Sequence, residues 1–234
     1  MSAQAATLET RPDFRHVEAW IFDLDNTLYP ASCDLFAQID ARMTLYVAAR
    51  LGVPADEARR IQKDYYRDHG TTLNGLMTRH DVDAEDFLAH VHDIDLSVLA
   101  PDPALAAALA GLPGRRFVFT NGCRNHAIRV LDRTGLGAHI DDLWDIRTIG
   151  FRPKPDPGAY DAVVARAAIA PGRAAMFEDV ARNLVPARAL GWTTVWLDNG
   201  SVWSKQGPTF PVVETRHIDH TIEDLTHFLG RIRT

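Results

Sequence analysis

The chain reads as an α/β protein: a parallel five-stranded sheet with helices on both faces, interrupted after its first strand by an all-helical insert. Three observations predict this. A short apolar run (Val17, Ala19, Trp20, Ile21, Phe22) has the character of a strand buried on both faces. Residues 31–100 carry apolar side chains at helical spacing and no convincing strand. From Arg116 onward, strand-like runs alternate with helix-like ones, as expected of a parallel sheet covered on both sides.

The elements follow in order. Residues 1–14 read as a flexible tail, and 15–30 supply the first strand and its turn. In the insert, Leu35, Phe36, Ile39, Met43, Tyr46 and Val47 recur at helical spacing, and Pro54-Ala55-Asp56-Glu57 opens a second helix. Gly70-Thr71-Thr72 interrupts the pattern, and Leu73, Leu76 and Met77 suggest a further helical turn. Asp83-Ala84-Glu85-Asp86 resembles a capping start for a helix through His90. Asp102-Pro103 begins an alanine-rich helix that stops at Gly111, with Pro at the first helical position and Gly past the end. Beyond it the pattern predicts a strand at 117–119, a helix at 124–134, a strand at 143–148 and a helix from the Asp156-Pro157 cap to about residue 168. A strand at 174–177, a helix at 181–190 and a strand at 193–197 complete the series. The expected division is a core of residues 15–30 and 101–234 with a helical cap at 31–100.

A chain of 234 residues accommodates such a core with an inserted smaller unit. Hydrophobic content of 46% supplies a sizeable core for a globular protein. The net charge of -6 argues against a nucleic-acid polymer as partner, while a small anionic substrate remains open because local charge need not follow the global sign. Cys33 and Cys123 lie far apart without C-x-x-C spacing, so neither a disulfide framework nor a structural zinc site is implied. No apolar stretch of signal-peptide or membrane-spanning length stands out, and the expected location is cytoplasmic with no membrane partner.

In a parallel sheet, ligands bind at the carboxyl ends of the strands, and each predicted strand end holds something polar. The first ends in F-D-L-D-N-T-L-Y, residues 22–29. Asp23 and Asp25 leave an extended chain on the same side. At the edge of a core such acids need a metal or a cation, although Asp-x-Asp-Asn-Thr is also good turn chemistry. The second strand ends in Thr120-Asn121-Gly122, a loop after the third holds Lys154 in R-P-K-P-D-P, and the fourth ends in Glu178-Asp179. A turn, a surface lysine and a helix cap would explain each alone. Four such features at equivalent topological positions point to one site.

In these residues the chain resembles the haloacid dehalogenase superfamily of phosphoryl-transfer enzymes. The likeness rests on D-x-D-x-T at 23–27, T-N at 120–121, the lysine at 154 and E-D-x-x-x-N at 178–183, and covers residue 17 to about 198. It implies a Rossmann-like catalytic core, with the insert at 31–100 in the family's helical cap position. D-L-D-N-T-L-Y-P and His69-Gly70-Thr71-Thr72-Leu73 look most like the pyrimidine 5'-nucleotidase group. The resemblance implies Mg²⁺ ligated by Asp23, the backbone carbonyl of Asp25, and Asp179, with Glu178 a further acid acting through water. It also implies that the Thr120 hydroxyl and the Asn121 backbone N–H hold phosphate oxygens and that Lys154 bridges nucleophile and phosphate.

The chemistry of a phosphate monoester agrees with that assignment. It needs an in-line nucleophile, here Asp23, and a proton donor for the leaving group, here Asp25, which then activates water against the aspartyl-phosphate. Four ionised carboxylates exceed the charge of Mg²⁺ and Lys154 by one, so a proton on Asp25 balances the site. Dehalogenation needs neither a leaving-group acid nor a metal, so Asp25 and the Glu178-Asp179 pair favour a phosphatase. Asn183 stands where many relatives carry another acid; an amide there orients a metal-bound water or Lys154.

In the insert, the 70–75 break is a candidate substrate-facing loop, with a simple interhelical turn as the alternative. Tyr65 and Tyr66 offer a stacking face or plain packing. His90 and His92 lack the i, i+4 spacing of shared metal ligation and read as surface or packing residues, and Trp192 and Trp196 read as core. The expected substrate is a small phosphorylated metabolite, first a pyrimidine nucleoside monophosphate. A sugar phosphate, pyridoxal phosphate or phosphoglycolate, a phosphomutase reaction, and a binding protein without turnover are the alternatives.

Overall fold

Four consecutive apolar residues form β1 (Ala19–Phe22), and all four are buried. The molecule is described by a computed structural model over residues 11–170, 172–200 and 215–234. After β1 come the helices of the insert, α1 (Leu35–Leu51), α2 (Ala55–His69), α3 (Thr72–His80) and α4 (Ala84–Val91), then α5 (Pro103–Ala110) leading back to the core. The alternating part follows as β2 (Arg115–Phe119), α6 (Arg124–Thr134), β3 (Asp142–Trp144), α7 (Pro157–Ala167), β4 (Ala174–Glu178), α8 (Leu184–Ala189), β5 (Thr193–Leu197), β6 (His220–Ile222) and α9 (Leu225–Leu229).

Among the described residues the sheet has six strands in the order β3-β2-β1-β4-β5-β6, with every neighbouring pair parallel and helices on both faces. β1 lies between β2 and β4, with Phe22 paired to Val118 on one side and Phe177 on the other. From β1 the chain builds the sheet in one direction through β2 and β3, then returns to build the other through β4. That reversal opens a crevice at the carboxyl ends of β1 and β4. Beneath it Trp20, Phe22, Phe177 and Phe14 stack into the core. Among the described residues, no helix is long and apolar enough to cross a membrane.

Several expectations are corrected. The sheet has a sixth strand, β6, which carries a single buried apolar residue and therefore little sequence signal. β3 ends at Trp144 instead of running to residue 148. The reason is Asp145, whose carboxylate accepts from the Thr148 N–H at 3.0 Å, the Thr148 hydroxyl at 2.6 Å and the Arg124 N–H at 3.0 Å, closing a turn. Residues 181–190 divide into a 3-10 turn at Ala181–Asn183 and the short α8. Most of the expected tail, residues 1–10, lies outside the described residues, but residues 12–14 are not loose. Phe14 is buried and donates its N–H to Arg233 O at 2.8 Å, while Arg233 N donates to Pro12 O at 2.9 Å.

The insert owes its internal packing partly to Asp40 of α1. This buried carboxylate accepts from Arg59 at 2.8 Å, Gln62 at 2.7 Å and Lys63 at 2.6 Å, all on α2. The 70–75 segment is partly helical: Thr71 caps α3 by accepting from the Asn74 N–H at 3.1 Å. Gly75 lies against Tyr65 of α2, where a Cβ would meet the ring root at 2.3 Å. The insert sits on the core through an ion pair between Glu85 and Arg147, and through Arg129, which donates to His92 O at 2.9 Å and Ile94 O at 3.1 Å.

Candidate active site

Asp23 is the first residue beyond β1, and its N–H donates to Phe177 O at 2.9 Å, extending the ladder to β4. Its carboxylate therefore stands at the rim of the crevice, with the side chain 9% exposed. Lys154 reaches it from the loop before α7. The ammonium donates to Asp23 Oδ1 at 2.6 Å, Glu178 Oε2 at 2.7 Å and Phe119 O at 2.8 Å, which uses all three of its hydrogens. The lysine loop is held by Asn121 at the end of β2: Lys154 N donates to Asn121 Oδ1 at 2.8 Å, and Asn121 Nδ2 donates to Lys154 O at 3.2 Å. Asn121 thus has a side-chain function beyond the backbone contact expected of it. Thr120, buried beside it, accepts from the Gly122 N–H at 2.9 Å.

Glu178 and Asp179 close the other side. Oxygens of Asp23, Glu178 and Asp179 lie within 4.8 Å of one another, and all three residues are buried. Crowding sets their proton affinities. Burial, then the Glu178 carboxylate, pushes Asp23 up to about 7 against the pull of Lys154. Burial, with Glu178 and Asp23 beside it, holds Asp179 well above the usual carboxylate range. Burial pulls the Lys154 ammonium down, but Asp23 and Glu178 outweigh it and its pKa is raised. Three buried carboxylates with one ammonium are under-neutralised, and hard oxygen donors at this spacing fit a small divalent cation. Asp23, Asp179 and Glu178 are the side chains that could hold it.

Asp25 stands apart from that cluster. Its Oδ1 accepts from His126 Nε2 at 2.8 Å and from the Tyr29 hydroxyl at 2.7 Å. Burial raises its pKa, but His126 and Tyr29 outweigh burial and the net shift is downward. The charge count from sequence concerns the site with Mg²⁺ bound, and the metal-free site is a different case. Without a metal or substrate, Asp23 and Asp179 have the greater proton affinity, because they face other carboxylates while Asp25 faces hydrogen-bond donors. His126 is fully buried on α6, and its ring stacks on His92 at 4.5 Å and 15°. His92, expected at the surface or in packing, is buried and also lines the site cavity. Its Nδ1 bonds to Leu88 O at 3.0 Å, and burial lowers its pKa to about 3, so the ring is neutral.

A cavity of about 180 Å³ joins these groups to the insert. The core side presents the four strand-end motifs, including Asn183. The insert side presents an apolar wall with Phe36, Met43 and Phe87, and polar groups from Asp40, Gln62 and Thr72. Tyr66 also lines the cavity, with Arg182 stacked 4.5 Å over its ring, whereas the Tyr65 hydroxyl pairs with His80 Nε2 at 2.6 Å. Trp192 is core as expected, and Trp196 is half-buried with its indole N–H on Asp179 O at 2.8 Å. All six residues singled out from sequence, Asp23, Asp25, Thr120, Asn121, Lys154 and Asp179, line this one cavity. The residues not foreseen are His126 and Tyr29 on Asp25, and Asp40 and Gln62 in the insert. His126 carried a signal: it is a polar residue on the stripe of α6 that also contains Ala127, Val130, Leu131 and Thr134, all buried.

Residues 17–191 match the family model of haloacid dehalogenase-like hydrolases, and the chain belongs to that family of hydrolases. Among curated relatives it is similar to Phosphate metabolism protein 8 of Saccharomyces cerevisiae, 29% identical over 196 residues, which are 74% of this chain and 59% of that protein. The chain therefore spans well under two thirds of that relative's length. The fold is shared with the HAD hydrolase YfnB of Bacillus subtilis, solved bound to magnesium (TM-score 0.58, 14% identity, 93% of this chain and 99% of that one). It is shared too with a HAD phosphatase of Thermococcus onnurineus (TM-score 0.56, 19% identity, 93% and 100%).

Proposed function

We propose that the chain is a cytoplasmic Mg²⁺-dependent phosphatase that hydrolyses a small phosphate monoester through an aspartyl-phosphate on Asp23. The observation that carries this reading is the separation of two aspartates by environment. Asp23 sits with Lys154, Glu178 and Asp179, whereas Asp25, two residues on, accepts hydrogen bonds from Tyr29 and His126. One group is surrounded as a nucleophile beside a cation site, and the other as an acid–base group. The yeast relative's name, Phosphate metabolism protein 8, agrees with phosphate chemistry.

In the first step an Asp23 carboxylate oxygen bonds to phosphorus, the bond from phosphorus to the leaving oxygen breaks, and Asp25 gives that oxygen its proton. A phosphate dianion beside Asp25 raises its pKa by like-charge repulsion, so the acid acquires its proton together with the substrate. In the second step Asp25 takes a proton from water, the water oxygen bonds to phosphorus, and the bond to Asp23 breaks. The Thr120 hydroxyl and the Asn121 N–H hold phosphate oxygens. Lys154, whose hydrogens are all engaged, reaches the phosphate by exchanging one present partner. Asp23, Asp179 and the Asp25 carbonyl would hold Mg²⁺, with Glu178 as a further acid beside it, and the ion would supply positive charge against the phosphoryl oxygens. Asp25 and the Glu178-Asp179 pair disfavour dehalogenation, which needs neither.

The insert acts as a cap that excludes water and reads the leaving group. The apolar wall of Phe36, Met43 and Phe87 suits the face of a planar heterocycle. The likeness of D-L-D-N-T-L-Y-P and His69-Gly70-Thr71-Thr72-Leu73 to the pyrimidine 5'-nucleotidase group makes a pyrimidine nucleoside 5'-monophosphate the first reading. A sugar phosphate is the second reading, because the strand-end residues see only the phosphate. Phosphate release across nucleotides, sugar phosphates, pyridoxal phosphate and phosphoglycolate, with Mg²⁺ and with EDTA, tests both. We expect release that depends on Mg²⁺ and is fastest with uridine or cytidine 5'-monophosphate. Undiminished release in EDTA would contradict the mechanism, and an isomeric phosphate in place of free phosphate would show a mutase.

A further inference from the structure

We propose that His126 and Tyr29 are positioning residues that hold Oδ1 of Asp25 and reserve its Oδ2 for the proton passed to the leaving group. The inference rests on the phosphatase reading and deepens it. A hydroxyl at 2.7 Å and an imidazole nitrogen at 2.8 Å converge on one oxygen of one carboxyl group. The hydroxyl donates, and Nε2 donates in the tautomer that carries its proton there, the one a carboxylate partner requires; an oxygen that accepts two hydrogen bonds is the carbonyl-type oxygen of the acid. The acidic hydrogen is thereby directed to the other oxygen. Asp25 lines the cavity, and its side chain is 15% exposed while that of His126 is fully buried.

The two donors come from different elements, so the carboxyl plane is fixed from two directions. Tyr29 belongs to the turn after β1, four residues beyond Asp25, and is itself buried. His126 is the third residue of α6. Its Nδ1 is buried with no hydrogen-bond partner among the described residues, so no second hydrogen bond competes with Asp25 for the orientation of the ring. The ring face lies on His92, whose own nitrogen is tied to Leu88 O in α4. The insert thus steadies the imidazole that steadies the acid. Orienting a general acid raises the rate of leaving-group protonation without any direct contact between the orienting residue and substrate.

During transfer, the O–H bond at Oδ2 breaks and its hydrogen goes to the leaving oxygen as that oxygen takes the electron pair of its bond to phosphorus. A leaving group that departs readily as an anion needs little of this help. The test compares kcat/KM on phenyl phosphate, whose leaving group is poor, with that on 4-nitrophenyl phosphate, whose leaving group is good. Tyr29→Phe deletes one hydroxyl and keeps the ring; His126→Leu deletes the imidazole donor, and His126→Gln keeps an N–H in reach. We expect Tyr29→Phe and His126→Leu to lower kcat/KM on phenyl phosphate by about 10- to 100-fold, with a far smaller fall on 4-nitrophenyl phosphate and partial recovery in His126→Gln. Equal falls on both substrates, or no fall, in a folded and active enzyme would overturn the inference alone. If His126→Leu does not fold, Tyr29→Phe decides by the same comparison. A wild-type protein that releases no phosphate from either aryl ester or from the metabolite panel overturns the phosphatase reading and this inference with it.

Discussion

Lys154 Nζ lies 2.6 Å from Asp23 Oδ1, with both side chains nearly sealed from water. The same ammonium is 2.7 Å from Glu178, so one cation answers two buried anions while Asp179 crowds the group from beside them. Such an arrangement is stable only as a set, because removing one partner leaves a charge uncompensated in a poorly solvated place.

Lys154→Met therefore costs about 3–5 kcal/mol of unfolding free energy near neutral pH. Chemical denaturation measures this. Part of the loss is recovered at lower pH, where a proton on Asp23 does what the ammonium did. Equal losses at both pH values would show that the carboxylates do not feel the lysine.

The pH dependence of the metal-free protein follows from Asp23. Its folded pKa of about 7 stands above the ordinary 3.8, so the folded state keeps a proton that the unfolded chain gives up. This contribution is fully present below about pH 4 and is lost as pH rises toward and through 7. Asp179 acts in the same direction. The groups facing Asp23 are Glu178, Lys154, Asp25 and Asp179. Melting curves at a series of pH values in EDTA should show Asp23→Asn gaining on wild type as pH rises. Saturating Mg²⁺ should shrink the gap, because a cation stabilises the ionised cluster. A gap independent of pH would contradict the raised pKa.

Gly75→Ala tests the insert without touching the core chemistry. The added Cβ would meet Tyr65 Cγ at 2.3 Å, close to the root of a side chain that cannot swing aside. α3 must then shift from α2 and move Thr72 and Leu73, which line the cavity. We expect a loss of about 1–3 kcal/mol in stability. We also expect a higher KM for the preferred metabolite, with a smaller change on 4-nitrophenyl phosphate. Unchanged KM values would remove α3 from the substrate-reading wall.

The strand-end residues were legible in the sequence because a parallel sheet brings them together whatever their separation along the chain. Asp23 and Lys154 are 131 residues apart, yet both follow from where β1 ends and where the loop before α7 lies. Helix α6 was legible to the residue, since its apolar stripe and flanking Gly135 mark both ends. The contact between Asp25 and His126 was not, because it depends on which face of α6 meets the crevice and by how many ångströms. β3 was overextended because Asp145, an ordinary polar residue in sequence, closes a turn through two hydrogen bonds from Thr148 and accepts a third from the Arg124 N–H of α6. The donors on Asp25 were not legible either, because a tally of charges says nothing of the hydrogen bonds around each one.

The most direct test of the central claim is steady-state phosphate release by Asp23→Asn, with 4-nitrophenyl phosphate and Mg²⁺, on protein shown to be folded. Asn keeps the size of the side chain and removes the attacking carboxylate oxygen. Turnover is expected to be abolished in the variant while wild type remains active. Appreciable steady release of phosphate by the variant would contradict Asp23 as the nucleophile.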